Sequence, residues 1–191
     1  MRIVIGISGA SGAIYALEVL RRLRALGGHE IHAVVSECGW RILEHECSAG
    51  RAEIMPLVDA LYANDDMGAA IAGGSFCRDA MVVAPCSMKS LAAIACGLAD
   101  NLLCRAADVT IKEGRRLVLA VRETPLSAIH LENMLKLARL GVRIVPACPA
   151  FYHHPRTVDD LTGMMAGRIL DSMGVIHDGI PRWQGLDQGK T

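Results

Sequence analysis

The sequence carries no excess of charge of either sign. Its 191 residues include twenty Lys and Arg against twenty Asp and Glu, and no basic run is longer than Arg115-Arg116. Proteins that bind a polyanion concentrate Lys and Arg on one face or in long runs. We therefore expect no nucleic acid among the partners of this protein.

A long hydrophobic run is missing from the start of the chain. The first twelve residues, MRIVIGISGASG, are apolar over only a few positions and are broken by glycines. A transmembrane helix needs about twenty apolar residues, and a signal peptide needs an uninterrupted apolar stretch. We expect a cytoplasmic protein that does not associate with a membrane.

Cysteine pairs with metal-binding spacing are also missing. The seven cysteines form an odd set without a Cys-x-x-Cys motif. They are Cys38, Cys47, Cys77, Cys86, Cys96, Cys104 and Cys148. Because most have apolar neighbours, reduced and buried thiols are favoured over disulfides or a zinc site. The histidines are scattered as well, so no metal site is predicted.

Short apolar runs alternate with amphipathic stretches along most of the chain. Residues 2–8 are typical of a buried strand, and a glycine-rich turn and a helix follow. Further buried strands are predicted at residues 31–35, 81–84, 117–121 and 142–145. This alternation predicts an α/β fold of three layers, with a mainly parallel sheet and helices on both faces. We expect one domain over residues 1–175, a peripheral excursion at 47–80, and a C-terminal arm or tail at 176–191.

The first candidate site is the loop after the first strand, since such sheets bind ligands beyond the carboxyl ends of their strands. Gly6, Gly9 and Gly12 have the spacing G-x-x-G-x-x-G, which differs from the dinucleotide fingerprint and from the phosphate loop. A glycine-rich turn at a helix start presents backbone N–H groups to an anion, and the Ser8 and Ser11 hydroxyls would add donors. The alternative is a tight turn whose glycines serve packing alone.

Two further strand ends carry polar residues. Ser36 and Glu37 follow the second strand, and the acidic residue keeps a nicotinamide dehydrogenase as an alternative. Without G-x-G-x-x-G, however, a mononucleotide is favoured over a dinucleotide. In the segment PCSMKSL, Ser87 and Ser90 either cap the next helix or bind a ligand.

Charged residues are grouped after residue 100. Arg105, Asp108 and Lys112 are spaced i, i+3 and i+7 and would share one helical face, where a salt-bridged surface is the simplest interpretation. The strand at 117–121 then delivers Arg122-Glu123 to the ligand edge. Arginine at this edge suits bidentate recognition of phosphate.

Several longer segments go beyond what a generic α/β protein requires. They are SGASG, PCSMKSLA, RAADVTIKE, RETPLSAIHLENM, PAFYHHP and RWQGL, in this order between residues 6 and 186. Their ordered combination resembles the UbiX/phenylacrylic acid decarboxylase-type flavin prenyltransferases. The resemblance implies a Rossmann-like or flavodoxin-like subunit of a dodecamer that binds FMN and dimethylallyl monophosphate between subunits.

The resemblance also assigns roles to individual positions. Family contacts to FMN fall on Gly9, Ala10, Ser11, Ser36, Ser87, Met88, Lys89, Ser90 and Arg122. Family contacts to the prenyl phosphate fall on Arg105, Lys112, Glu123, Tyr152 and Arg168, contributed by more than one subunit. Glu46 matches an acidic residue near the flavin and Trp183 a tryptophan of the C-terminal arm. The candidate catalytic residues are Glu46, Lys112, Glu123, Tyr152 and Trp183.

The implied reaction joins a dimethylallyl group to N5 and C6 of reduced FMN and expels phosphate. Its product, prenylated FMN, would serve a UbiD-type decarboxylase as partner. Phosphate departure creates negative charge on oxygen, which suits Lys112 and Arg168, while Tyr152 would donate a hydrogen bond and Glu123 would transfer a proton. The chain has no Asp-Asp-x-x-Asp cluster, which agrees with metal-independent chemistry.

Alternatives to this enzyme remain open at the level of sequence. The first is an FMN-binding carrier or accessory subunit of an aromatic acid decarboxylase, without turnover of its own. A cysteine decarboxylase of the phosphopantothenoylcysteine type ranks lower, because Pro-Cys-Ser-Met replaces its Pro-x-Met-Asn pattern. The resemblance does not decide whether the pathway served is ubiquinone biosynthesis or hydroxyaryl acid decarboxylation.

Overall fold

Six parallel strands form a single sheet in the structure, a computed structural model that describes residues 1–185. The strands are β1 (Arg2–Ile7), β2 (Glu30–Val35), β3 (Ala60–Ala63), β4 (Ala80–Cys86), β5 (Arg116–Val121) and β6 (Arg143–Ile144). They lie in the order β3-β2-β1-β4-β5-β6, and every pairing is parallel. This is the strand order of the Rossmann type. Its direction reverses between β1 and β4, which places the ligand crevice beyond the carboxyl ends of these two strands.

Helices cover both faces of the sheet. They are α1 (Ala13–Leu26), α2 (Glu37–Cys47), α3 (Arg51–Ile54), α4 (Met88–Cys96), α5 (Leu102–Lys112), α6 (Ala128–Arg139) and α7 (Val158–Met173). Ile3, Ile5 and Ile7 of β1 are fully buried under α1, α2 and α7. Val4 faces the opposite core, which α4, α5 and α6 cover. Burial on both faces explains the continuous apolar runs, and the predicted three-layer α/β fold is confirmed.

Residues 47–80 contain a strand that the sequence did not reveal. β3 pairs in parallel with β2, with His32 opposite Ala60 and Val35 opposite Ala63. The segment predicted as a peripheral excursion therefore adds a strand at the edge of the sheet. β3 is short, partly exposed and at the sheet edge, and its four apolar residues include none of the β-branched residues that mark the central strands.

The cysteines are free, and the prediction that they are buried is wrong for five of them, of which Cys47 is only partly exposed. Cys38, Cys77, Cys96 and Cys148 are exposed. Apolar neighbours in sequence do not report which face of a helix or loop carries the thiol. Cys86 and Cys104 are buried as expected, and burial raises the pKa of the Cys104 thiol.

The chain beyond α7 folds back onto α1 and α7. Ile180 is 7% exposed, and His177 is buried with its Nε2 3.1 Å from the carbonyl oxygen of Gly167. Arg22 of α1 donates to the carbonyl oxygen of Gly179 at 2.8 Å. The described part of the predicted arm thus packs on the domain. Its boundary at residue 176 stays a prediction. Residues 186–191 lie outside the described part of the chain.

No helix within residues 1–185 is both long and apolar enough to cross a membrane.

Candidate active site

A buried hydroxyl joins the loops that follow β1 and β4. Ser8 is 1% exposed and donates its hydroxyl to the carbonyl oxygen of Pro85 at 2.6 Å, while it accepts the N–H of Ser87 at 2.8 Å. The prediction that this hydroxyl adds a donor for an anion is wrong, because its single O–H is used inside the protein. Ser8 instead fixes the spacing of the two loops at the crevice.

Helix α1 begins without a side-chain cap of its own. Its N-cap is Gly12, whose φ of 101° is a conformation that favours glycine. The carboxylate of Glu46, from α2, accepts the N–H groups of Gly12 at 2.8 Å and Ala13 at 3.0 Å. The prediction of free N–H groups at this helix start is therefore wrong for these two residues, because a protein carboxylate occupies them. Of the predicted loop donors, the backbone N–H groups of Gly9, Ala10 and Ser11 remain available to a ligand, while the Ser11 hydroxyl bonds with Glu46.

Arg122 holds the other side of the same loop. Its Nε donates to the carbonyl oxygen of Ser11 at 3.0 Å. Partial burial alone would raise the pKa of Glu46, but hydrogen bonds with Ser11, Gly12 and Ala13 and the charge of Arg122 outweigh it and lower the pKa. The loop is thus fixed between an ionised carboxylate and a guanidinium.

A cavity of about 470 Å³ opens between the loops after β1, β2 and β4. Donors predominate among its polar side chains, although Glu37 adds one carboxylate: Ser36, Glu37, Asn64, Ser87, Lys89, Ser90 and Asn101. Ser87 also caps α4 by accepting the N–H of Ser90 at 3.3 Å, so the capping and binding interpretations of this serine are compatible. We call this cavity, together with the loop at residues 9–11 and Arg122, the flavin cradle.

The flavin cradle fits a flavin mononucleotide. Its hydroxyls, amides and ammonium match the phosphate and hydroxyl oxygens of such a ligand. The backbone at Gly9 approaches α2 so closely that an added Cβ would lie 2.4 Å from Cys38 Cβ, which shapes the cradle wall. Two residues predicted to contact FMN do not place their side chains in the cradle. Ala10 is buried, and Met88 packs against the core formed with α4 and α5.

Sequence reasoning missed three residues of this cradle. Asn64, Asn101 and Cys38 line the cavity. Asn64 accepts the N–H of Leu103 at 3.1 Å with its side chain and so ties the end of β3 to α5. The available signal was its position directly after β3, and that strand was itself missed.

The basic face of α5 lies apart from the cradle. Arg105 pairs with Asp108 at 2.9 Å, as the sequence predicted, but Lys112 pairs with its neighbour Glu113. α5 starts beside Asn101 at the cradle and has 11 residues, so Lys112 ends roughly 16 Å further along its axis. One chain therefore does not bring Lys112 to the cradle.

Tyr152 and Trp183 meet at a third place. Their rings are edge to face, with centroids 5.3 Å apart, and the Tyr152 hydroxyl donates to the carbonyl oxygen of Pro181 at 3.1 Å. Such a contact anchors the C-terminal segment to the domain. Both rings remain partly exposed.

Arg168 joins this place through an acidic residue of α7. The carboxylate of Asp171 lies 3.1 Å from Arg168 and 2.6 Å from Arg182, and its other oxygen is 3.2 Å from His177. Burial alone would raise the pKa of Asp171, but the hydrogen bond and charge of Arg182 and the charges of His177 and Arg168 lower it. We call Tyr152, Trp183 and the residues around Asp171 the C-terminal cluster.

The predicted site residues thus fall into three groups on one chain. The flavin cradle also carries Glu123, which is exposed beside Arg122 and accepts the N–H of Thr124 at 3.0 Å. Arg105 and Lys112 form the α5 face, and Tyr152, Arg168 and Trp183 belong to the C-terminal cluster. Because Lys112 lies away from the cradle, convergence of all these side chains would require more than one chain.

Comparison with known proteins identifies the family of this chain. The Flavoprotein family matches residues 1–170. The flavin prenyltransferase LpdB of Lactiplantibacillus plantarum is 50% identical over 184 residues, which cover 96% of this chain and 98% of that protein. The chain belongs to the Flavoprotein family and, within it, to the UbiX-like flavin prenyltransferases.

Two solved structures have the same fold throughout. The dodecameric FMN-dependent UbiX-like decarboxylase from Escherichia coli O157:H7 superposes with a TM-score of 0.94 at 47% identity and covers 97% of this chain and 100% of that chain. AnUbiX (PadA1), in complex with FMN and dimethylallyl pyrophosphate, has a TM-score of 0.94 at 43% identity, with 97% and 98% covered.

Proposed function

We propose that this protein is a flavin prenyltransferase that joins a dimethylallyl group to N5 and C6 of reduced FMN and makes prenylated FMN. The observation that carries the proposal is the donor-rich flavin cradle at the β1/β4 crevice, with its loop fixed between Glu46 and Arg122. Membership of the UbiX-like family supports the reaction. When bound, the reduced flavin supplies the nucleophilic ring atoms.

The side chains of the cradle bind and orient the flavin. Ser87, Ser90 and Lys89 lie at the start of α4, where hydroxyls, an ammonium and a helix N-terminus together favour a phosphate. Arg122 adds a guanidinium beside Ser11. Because Ser8 links the two loops, these donors keep a fixed separation, so little reorganisation accompanies binding.

The three groups of site residues come together between copies of the chain in this proposal. The α5 face of one copy would approach the flavin cradle of another, and the C-terminal cluster would complete the pocket. Lys112 and Arg168 would then stabilise the departing phosphate, Tyr152 would donate a hydrogen bond to it, and Glu123 would move the proton. The dodecamer described for the Escherichia coli relative supports such an assembly.

The finer assignments belong to the same proposal. Dimethylallyl monophosphate is the donor we expect, although the AnUbiX complex contains the pyrophosphate, so both donors need testing. A UbiD-type decarboxylase would receive the product, in a cytoplasmic setting. Glu46 and Trp183 would act close to the flavin ring. Glu46 would at the same time fix the loop before α1.

A mass measurement tests the proposal. The protein is mixed anaerobically with reduced FMN and either dimethylallyl donor. The flavin is then extracted, and its mass is measured by mass spectrometry. We expect a gain of one C5H8 unit with at least one donor, released from the protein in excess over the enzyme. Bound flavin of unchanged mass, with folded protein, would refute the enzyme and support the FMN carrier instead.

A further inference from the structure

A second cavity lies at the sheet edge opposite the flavin cradle. Its volume is about 680 Å³, and residues that begin the strands line it, among them Met1, Asp79 and Val142. The ends of α5 and α6 close it at Gly114 and Gly141. We call it the amino-edge pocket.

The amino-edge pocket is rich in cationic side chains. Four arginines line it: Arg78, Arg115, Arg116 and Arg143. Within residues 1–185 none of the four forms a salt bridge with a carboxylate. Among the described lining residues Asp79 is the single acid, and its carboxylate accepts the N–H of Arg2 at 2.7 Å. Outside the lining, the carboxylate of Glu113 also acts electrostatically on Arg78 and Arg115, although it pairs with Lys112. The pocket therefore keeps an excess of positive charge.

Arg78 forms the floor of this charge cluster. It is only 3% exposed, and its two terminal nitrogens donate to the carbonyl oxygens of Ile71, Gly73 and Ala106 and to Thr110. Its Nε has no partner among the described residues. Burial, followed by the charge of Arg115, lowers the pKa of Arg78 to about 10. A buried guanidinium next to another cation costs free energy that a bound anion would recover.

The other arginines are held in place by backbone groups. Arg115 donates to the carbonyl oxygen of Arg78 at 3.0 Å. Arg116 and Arg143 donate to the carbonyl oxygens of Met173 and Ser172 at the end of α7. Each of these guanidiniums has further N–H groups beyond those bonds. A ligand would therefore bind guanidinium groups that are already oriented, which lowers the entropy cost of binding.

We propose that the amino-edge pocket binds a small anion carrying two or more phosphoryl groups, at a site separate from the flavin cradle. The fork geometry of arginine matches phosphoryl oxygens. Four arginines against the carboxylates of Asp79 and Glu113 leave an excess of positive charge, which calls for more than one negative charge on the ligand. The volume is in the range of small-molecule sites and exceeds what one orthophosphate fills. Lys112, which the proposed reaction uses, lies instead against Gly74 and Glu113.

Inorganic diphosphate is the probe for this site. It is titrated calorimetrically at about 0.15 M salt, an ionic strength that screens weak surface binding, into protein saturated with oxidised FMN and dimethylallyl monophosphate. These two ligands fill the proposed catalytic pocket. We expect one diphosphate per chain and an affinity at least about tenfold weaker in the Arg116→Gln/Arg143→Gln variant.

The matched control is Arg21→Gln/Arg139→Gln, which removes two exposed arginines outside the pocket. It should change the affinity by no more than about twofold. Absence of binding to the native protein, equal losses in both double variants, or an unchanged affinity in Arg116→Gln/Arg143→Gln would each overturn the site. In the last case the two arginines serve only to cap α7, and a lower Tm would accompany the unchanged affinity.

Should Arg116→Gln/Arg143→Gln fail to fold, Arg143→Lys keeps the charge and loses the fork. It should weaken diphosphate binding several-fold, and an unchanged affinity would again overturn the proposal. Prenylation of FMN should be unaffected by Arg143→Lys, so failure of this site is distinguishable from failure of the proposed function.

Discussion

Gly9 lies where the loop after β1 touches α2, and its missing side chain has a direct structural use. In Gly9→Ala the new Cβ would meet Cys38 Cβ at 2.4 Å, which forces the loop or α2 to move. We expect a loss of about 1–3 kcal/mol in the free energy of unfolding and weaker FMN binding. Thermal unfolding and fluorescence titration with FMN measure the two effects.

Gly68→Ala is the matched control for this change. An added Cβ there would meet only Asp66 Oδ1, at 3.5 Å, an ordinary contact. Its Tm and FMN affinity should stay close to those of the native protein. If Gly9→Ala behaves like Gly68→Ala, the close approach does not shape the cradle.

Glu46 should make the stability of the protein depend on pH. Its folded-state pKa is lowered, so its stabilising contribution is fully present above the unfolded-state pKa, about 4.3, and is lost as the pH falls through the folded-state pKa. Glu46→Gln keeps the size and one acceptor but not the charge. We expect the variant to have a lower Tm than the native protein at pH 7, with the gap closing below about pH 4. A gap that is constant with pH would contradict an ionised Glu46 at the start of α1.

The residues that sequence located best are those next to buried strands. Ser36, Ser87 and Arg122 directly follow β2, β4 and β5, whose apolar runs are unmistakable, and all three lie at the cradle. The partner of the glycine loop was harder to foresee, because Glu46 reaches it from the far end of α2 across 34 residues. Such a contact depends on how α2 packs, which local pattern does not encode.

Among the elements, the short edge strand shows where sequence patterns lose information. The central strands are buried on both faces, so their hydrophobicity alone is enough to predict them. β3 has one neighbour and only four residues, three partly buried and one exposed, so its apolar run is too short to stand out. Asn64 and Asn101 were missed with it, although they line the cavity.

The segment after α7 depends on Asp171 for its position. This carboxylate contacts Arg168, Arg182 and His177, so Asp171→Asn should release the segment that carries Trp183. After allowance for solvent screening we expect a loss of about 1 kcal/mol in local stability, hence about fivefold more frequent opening. The rate of trypsin cleavage after Arg182, followed by mass spectrometry, measures that opening.

Asp159→Asn controls for the loss of one carboxylate from the same helix. Asp159 lies in the first turn of α7 and forms no ion pair within residues 1–185. Its cleavage rate after Arg182 should match that of the native protein. Equal rates in both variants would mean that the cluster around Asp171 does not hold the segment.

At the scale of the whole molecule, the separation of the α5 face from the flavin cradle predicts that active sites are shared between copies. Lys112→Ala and Glu123→Ala should each abolish most prenylation when expressed alone. In oligomers that mix the two chains at random, about a quarter of the sites would pair an intact cradle with an intact α5 face. Activity should therefore return to about a quarter of the native level.

A second mixture separates shared sites from a general effect of mixing. Lys112→Ala and Arg105→Ala both damage the α5 face, so every site in their mixed oligomers lacks one of the two cations, and activity should stay at the level of the single variants. Native mass spectrometry with differently tagged chains confirms that mixing has occurred. If Lys112→Ala with Glu123→Ala recovers no more activity than this control, the α5 face of one copy does not complete the cradle of another.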